Sequence, residues 1–315
     1  MDRWTGVLRV PVQPNRSPAA VYCRVAASLR LSAVPPPSAN LMFFTGDRVE
    51  GSGNPVVDRL SDLSTIADVL VSKFGPSSNA WVIEAPAFHG PFSVYREFVP
   101  GTNRYGEPKS YDPSGLPASA SLVSLLRNCL VQVEEEISKR KKDIAIGLVS
   151  SPLCCLPRTI ILGFSKGGTV INQLVAELSQ AEVLSLGLLC GRVPSTKEEL
   201  LNSIEEVHYV DVGLNSSGAY ITDGSVITRI AERVARGGKS IRFILHGTPR
   251  QWGDKKRAWI RREKDRLLRL LDSASRQTDR RITVTEKLYF ADRPPDLQMH
   301  FEIIEKLEVD PVAGS

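Results

Sequence analysis

The stretch Thr159–Ile171, TIILGFSKGGTVI, constrains this chain more than any other. A short apolar run, Ile160, Ile161 and Leu162, enters Gly163-Phe164-Ser165-Lys166-Gly167-Gly168, and an amphipathic segment, Thr169–Leu178, follows at once. Strand, abrupt turn and helix in that order lift a serine hydroxyl to the carboxyl edge of a sheet, in a strained turn. A side chain at Gly163 or Gly167 would collide with the neighbouring strand or helix, so small residues are required there. The helix that follows points free N–H groups and its positive end at the serine. With 23 glycines in 315 residues, a chance G-x-S-x-G is expected on the order of 0.1 times, and the strand–turn–helix context lowers that further. The plainer alternative is a serine in an ordinary strand-to-helix turn. Other glycine motifs fall short: no G-x-x-x-x-G-K-[ST] occurs, and Gly51-Ser52-Gly53 lacks the third glycine of a dinucleotide fingerprint.

A chain of 315 residues fits one large α/β domain over 1–315 and does not force two. Hydrophobic residues at 42% and charged residues at 24% are enough for a full core and exclude a disordered type. A net charge of +5 is too mild to imply nucleic acid. The five cysteines, Cys23, Cys129, Cys154, Cys155 and Cys190, have no metal-ligand spacing and are odd in number. They read as reduced thiols in an intracellular compartment. No apolar run approaches the length of a membrane span, so peripheral contact is the most a membrane reading supports. The first thirty residues carry Arg3, Arg9, Arg16, Arg24 and Arg30 against Asp2, the balance of an organelle transit peptide. They also alternate as strands do, so folded structure is the first reading. The cytoplasm is the default compartment and the mitochondrion the second.

Along the chain, 5–12 and 19–31 read as two antiparallel strands joined through Pro14 and Pro18. Leu41–Phe44 is an apolar run suited to a strand buried on both faces. Val57–Phe74 carries one helical stripe, Leu60, Leu63, Ile66, Ala67 and Leu70, and Ala80–Ile83 is the fourth strand. Residues 86–117 then form a long structureless connection rich in Pro, Gly and Tyr, with Phe88, His89, Phe92, Tyr95, Phe98 and Tyr105 interleaved. Such a connection leaving the carboxyl edge of a sheet reads as a lid or binding loop. Helices over 119–142, 225–236, 255–271 and 295–306 alternate with strands over 207–212, 241–245 and 282–290, and 181–206 is a helical excursion. The alternation predicts a mainly parallel sheet covered on both faces.

A serine needs a base within hydrogen-bond reach and a third group to orient it. In the α/β-hydrolase arrangement these follow in the order Ser, acid, His, on loops at the carboxyl edge. Of the four histidines, His89 precedes Ser165 and His208 lies inside a strand. His300, shortly after the last strand, is the first candidate base and His246 the second. Asp211, at the end of the strand after the elbow helix, is the first candidate acid, with Asp223 and Asp254 as alternatives. The backbone N–H of Lys166 and one from Thr45-Gly46-Asp47, at Gly46, are candidates for the oxyanion hole. The Lys166 side chain is expected to point to solvent, or else to favour an anionic substrate. Lys255, Lys256, Arg257, Arg261, Arg262, Lys264, Arg266 and Arg269 make a strongly basic amphipathic helix, read first as solvated surface and second as a contact for anionic membrane or RNA.

These residues resemble an uncharacterised α/β-hydrolase-like family of plants and animals whose animal member is associated with mitochondria. The resemblance runs from about Leu41 onward through Phe43-Phe44-Thr45-Gly46-Asp47, the loop with His89, Tyr95 and Phe98, and Gly163-Phe164-Ser165-Lys166-Gly167. It continues in Val210–Asn215, Thr248-Pro249, Trp259-Ile260 and His300-Phe301. It implies a serine-hydrolase-like site of Ser165, Asp211 and His300 with no established substrate. The sequence departs from the family pattern at Val212, where a glycine is expected, at Leu214, where a histidine is, and in the longer 181–206 stretch.

The expectation is therefore an α/β-hydrolase fold, a mainly parallel sheet with helices on both faces and a lid-like insertion at 86–117 after the fourth strand. The expected activity is cleavage of an ester or thioester, with a lipid-like acyl group, by Ser165, His300 and Asp211. His89, Phe92 and Tyr95 are the candidate pocket or lid residues. No metal, organic cofactor or nucleic acid is called for, and oligomeric state is not legible. The reading from another class is a non-catalytic scaffold that binds through the 255–269 helix or the 86–117 loop.

Overall fold

The computed structural model describes residues 2–13, 20–32, 36–49, 51–140, 156–184 and 191–309. Its strands, in chain order, are β1 (Arg3–Pro11), β2 (Tyr22–Arg30), β3 (Ala39–Phe44), β4 (Asn79–Ile83), β5 (Ala87–His89), β6 (Phe92–Val94), β7 (Arg158–Phe164), β8 (Ile204–Val210), β9 (Ile241–Gly247) and β10 (Ile282–Leu288). Eight of them form one sheet in the order β1-β2-β4-β3-β7-β8-β9-β10. Strand β2 pairs antiparallel with β1 and β4, and every pairing from β4 to β10 is parallel. This strand order, with crossover helices and one reversed strand near an edge, is the α/β-hydrolase fold.

The central strands β3, β4 and β7 are apolar on both faces because each face is covered by helices. On one face pack α1 (Pro55–Leu60), α2 (Leu63–Phe74) and α9 (Leu297–Lys306), around Phe43, Leu70, Leu162 and Ile304. On the other lie α3 (Pro117–Arg140), α4 (Gly168–Leu178), α5 (Lys197–Ser203), α6 (Gly224–Ala235) and α8 (Ala258–Gln277), around Leu126, Ile171, Ile230 and Leu267. Burial of these faces removes apolar surface from water and is the main stabilising term.

Several elements differ from the sequence expectation. The 57–74 stripe is two helices, because Asp62 leaves helical geometry and its carboxylate caps α2 at the Thr65 N–H. The α4 segment is not amphipathic in its setting, since every residue of it is buried. Its polar side chains bond protein groups: Asn172 donates to the Gly218 and Ala219 carbonyls, Gln173 to Asp112, and Glu177 accepts from the Ala118 and Ser119 N–H groups at the start of α3. A short helix, α7 (Pro249–Trp252), stands after β9, where no periodicity announced one. The 86–117 connection is not structureless, for β5 and β6 pair as a hairpin within it. Cys23 and Cys129 are buried free thiols; Cys154, Cys155, Cys190, the Pro14–Pro18 turn and the end of the 119–142 helix lie outside the described residues. No helix among the described residues is long and apolar enough to cross a membrane.

Candidate active site

Strand β7 ends at Phe164, and the chain turns sharply through a short 3-10 stretch, Ser165–Gly167, into α4. Ser165 has φ 52, in the left-handed region that non-glycine residues avoid. Neighbouring glycines let the turn sit this tightly. A Cβ on Gly163 would stand 2.4 Å from Cγ1 of Ile171 in α4, and one on Gly167 would stand 2.2 Å from the Phe44 carbonyl oxygen at the end of β3. Gly46, after β3, lies directly against the serine: a Cβ there would come within 2.5 Å of Ser165 Cβ and 3.0 Å of its Oγ.

Asp211 follows β8 and also has a left-handed backbone, φ 45. Its carboxylate is fully buried and well supplied with donors. Oδ1 accepts from the Thr248 N–H at 2.7 Å, and Oδ2 accepts from the Thr248 hydroxyl at 2.9 Å. Oδ2 also lies 2.6 Å from Nδ1 of His300. His300 is in the first turn of α9, not on a loop, and its ring packs 4.6 Å from that of Phe164. Asp296 holds this turn by accepting from the Met299 N–H. Thr248 entered the sequence analysis only through the family resemblance and with no role; as the N-cap of α7 its hydroxyl makes no capping bond, because Asp211 takes it.

The other candidates for base and acid are committed elsewhere. His246 Nε2 lies 3.0 Å from His208 Nδ1, and His246 Nδ1 lies 2.9 Å from the Tyr289 hydroxyl, in the interior of the sheet. Asp223 caps α6 through the Ser225 N–H. Asp254 caps the 3-10 turn before α8 and pairs with Arg257.

Ser165 and His300 share a cleft of about 270 Å³ with Phe92, Leu214, Leu297 and Phe301. Asp47, Lys166, Arg250, Gln251 and Arg257 supply its polar walls. The Lys166 side chain does not point to solvent as expected. It is buried, donates to the Tyr105 carbonyl at 2.9 Å, and stands 3.2 Å from Asp47 and 3.5 Å from Glu107. Burial pushes the Asp47 carboxyl above its ordinary range, with Lys166 opposing. Lys166 also sits 4.6 Å over the Phe92 ring.

The 86–117 insertion is thus bolted down beside the serine, and its aromatics divide. Phe92 lines the cleft. Tyr95 is buried beneath it and donates to the Thr45 carbonyl at 2.8 Å, and Phe98 packs edge-on against Phe44. His89 is exposed and stacks edge-on against Tyr105, away from the cleft wall. Of the candidate pocket or lid residues, Phe92 thus lines the cleft, while Tyr95 and His89 do not. Glu107 fastens the insertion to the loop after β8, accepting from the Ser216 hydroxyl at 2.7 Å. Gly106 lets the insertion fold tightly on itself, since a Cβ there would stand 2.0 Å from the Ser93 carbonyl oxygen in β6.

The family resemblance holds. The C2orf69 family model matches residues 156–276. The mitochondrial protein C2orf69 of Homo sapiens is 25% identical, over 86% of this chain and 74% of its own length. Its homolog in Danio rerio is 26% identical, over 78% of this chain and 64% of its own length. Among solved structures, an S-formylglutathione hydrolase from Agrobacterium tumefaciens is similar at 10% identity and a TM-score of 0.46, covering 97% of this chain and 93% of that one. Siderophore hydrolase EstA from Aspergillus nidulans is similar at 13% identity and a TM-score of 0.45, covering 96% of this chain and 93% of that one.

Proposed function

We propose that this chain is a serine hydrolase that cleaves an ester or thioester. Ser165 Oγ attacks the carbonyl carbon while His300 takes its proton through Nε2. Asp211 holds the imidazole by Nδ1 and stabilises the charge that forms on it. The Lys166 and Gly46 N–H groups receive the oxyanion. Collapse expels the alcohol or thiol, which takes the proton back from His300, and water then releases the acid by the same steps. The observation that carries this reading is the 2.6 Å contact between Asp211 and His300 in a cleft that Ser165 also lines. The apolar wall of Phe92, Leu214, Leu297 and Phe301 suits a short acyl chain.

A fluorophosphonate probe tests it. Wild-type protein is expected to label, and Ser165→Ala to abolish the label. Well-folded protein that stays unlabelled would favour the scaffold reading, in which the exposed Lys255, Lys256, Arg261, Arg262, Arg266 and Arg269 bind an anionic partner. Residence in mitochondria is the compartment that the names of the relatives support, and organelle fractionation checks it.

A further inference from the structure

A cation beside the serine would ordinarily be the first choice for reading a charge on the substrate, but Lys166 is not free to do so. Its ammonium is shared among Tyr105, Asp47 and Glu107. Two other side chains of the cleft are in the opposite condition. Arg250 lines it half-buried and has no hydrogen bond or ion pair among the described residues. Its neighbour Gln251 is 4% exposed, and Oε1 of its amide is buried without a partner. An unpaired guanidinium at a cleft wall is open to an anion, whereas Oε1 of Gln251 has almost no surface that a ligand could reach. The amide cannot swing away, because it fills the space over Gly213, where a Cβ would come 2.3 Å from Oε1. Arg257 stands at the same wall with its Nε held by Asp254, which fixes its guanidinium in place.

We propose that Arg250 is the recognition end of this cleft, for an ester or thioester bearing a carboxylate or phosphate. The planar Arg250 fork takes the anionic oxygens, and Gln251, packed over Gly213, forms the wall beside it. The ester half of the statement rests on the serine-hydrolase reading; the anion half does not.

Binding to the Ser165→Ala protein separates the two, because nothing is turned over. Monomethyl glutarate, butyl phosphate and neutral methyl valerate are titrated by ligand-observed NMR. One or both anions are expected to bind at least about tenfold tighter than methyl valerate, as a charge-assisted pair allows, and the stronger of the two identifies the anion. Arg250→Gln is expected to abolish that preference, and Arg250→Lys, which keeps the charge without the fork, to retain part of it. Equal binding of the three ligands, or a preference that survives Arg250→Gln, overturns the anion site.

Discussion

Two of the three side chains assigned to the proton relay, Ser165 and Asp211, leave from backbone held in the left-handed region, at φ 52 and 45. Such conformations cost roughly 1–3 kcal/mol each and persist only where the surroundings over-determine them. At Ser165 the surroundings are glycines. Gly46→Ala places a methyl 2.5 Å from Ser165 Cβ, and such overpacking is expected to cost about 1–3 kcal/mol. Probe labelling should slow by at least about tenfold, since the misfit falls on the nucleophile; labelling at the wild-type rate would mean that the loop yields. At Asp211 the restraint is Thr248, whose hydroxyl donates to the oxygen that also meets His300. Thr248→Val keeps the shape and removes that donor, a loss of about 1.5–3 kcal/mol for a bond to a charged group. The labelling rate is expected to fall with it, and an unchanged rate would remove Thr248 from the orienting role. The types and order of Ser165, Asp211 and His300 along the chain made them visible as candidates. The role of Thr248 was not visible, because it depends on β9 ending beside β8, and neither was the fit of Gln251 over Gly213. Val212, which departs from the family pattern, is accommodated where Gly168 lacks a Cβ: a methyl there would stand 2.5 Å from Val212 Cγ1.

Among the elements, strands were easier to read than what joins them. Continuous apolar runs marked β3, β4 and β7 because both faces of the sheet are covered. The break between α1 and α2 was legible in principle, since Asp62 and Thr65 have cap spacing, but the apolar stripe across it is uninterrupted. Asp62→Ala removes the acceptor for the Thr65 N–H and is expected to cost about 0.5–2 kcal/mol in denaturant unfolding. No change there would mean that packing alone fixes the break. The 86–117 insertion was read as a lid or binding loop, and its fastening was not legible because composition does not reveal buried charge. Glu107 joins the insertion to Lys166 and to Ser216. Glu107→Ala leaves Lys166 with Asp47 as its only carboxylate among the described residues and is expected to cost about 3 kcal/mol. The insertion should then be cut faster in limited proteolysis, between β6 and α3; an unchanged cutting rate would show that Tyr95 and Phe98 suffice to hold it.

Across the whole molecule, the polar interior of the sheet sets how the fold responds to acid. Tyr289, His246, His208 and Glu206 form a buried chain with contacts of 2.9, 3.0 and 3.1 Å. One assignment of protons satisfies every link: Tyr289 donates to His246 Nδ1, His246 Nε2–H to His208 Nδ1, and His208 Nε2–H to Glu206. Both histidines are then neutral. Burial drives them the same way, lowering the pKa of His208 and putting that of His246 well below the ordinary value. Burial would push Glu206 up, but its bonds to His208 and Arg242 hold it down to about 2. An unfolded histidine takes up its proton near pH 6.5, whereas the folded pair stays neutral to lower pH. The unfolded state therefore binds more protons below that point, and the contribution of the pair, complete above pH 6.5, is lost as pH falls. Glu206 acts in the same sense, but only below its unfolded value near 4.5. The carboxyls of Asp47, Glu177 and Glu263, raised by burial, act in the opposite sense, so the histidine effect must be read as a difference. Wild type and His246→Gln are compared by urea unfolding at pH 7 and 5.5. The wild type is expected to lose about 1 kcal/mol more than the variant, the share of one neutral histidine over that interval. Parallel losses would show that His246 already carries its proton in the folded chain.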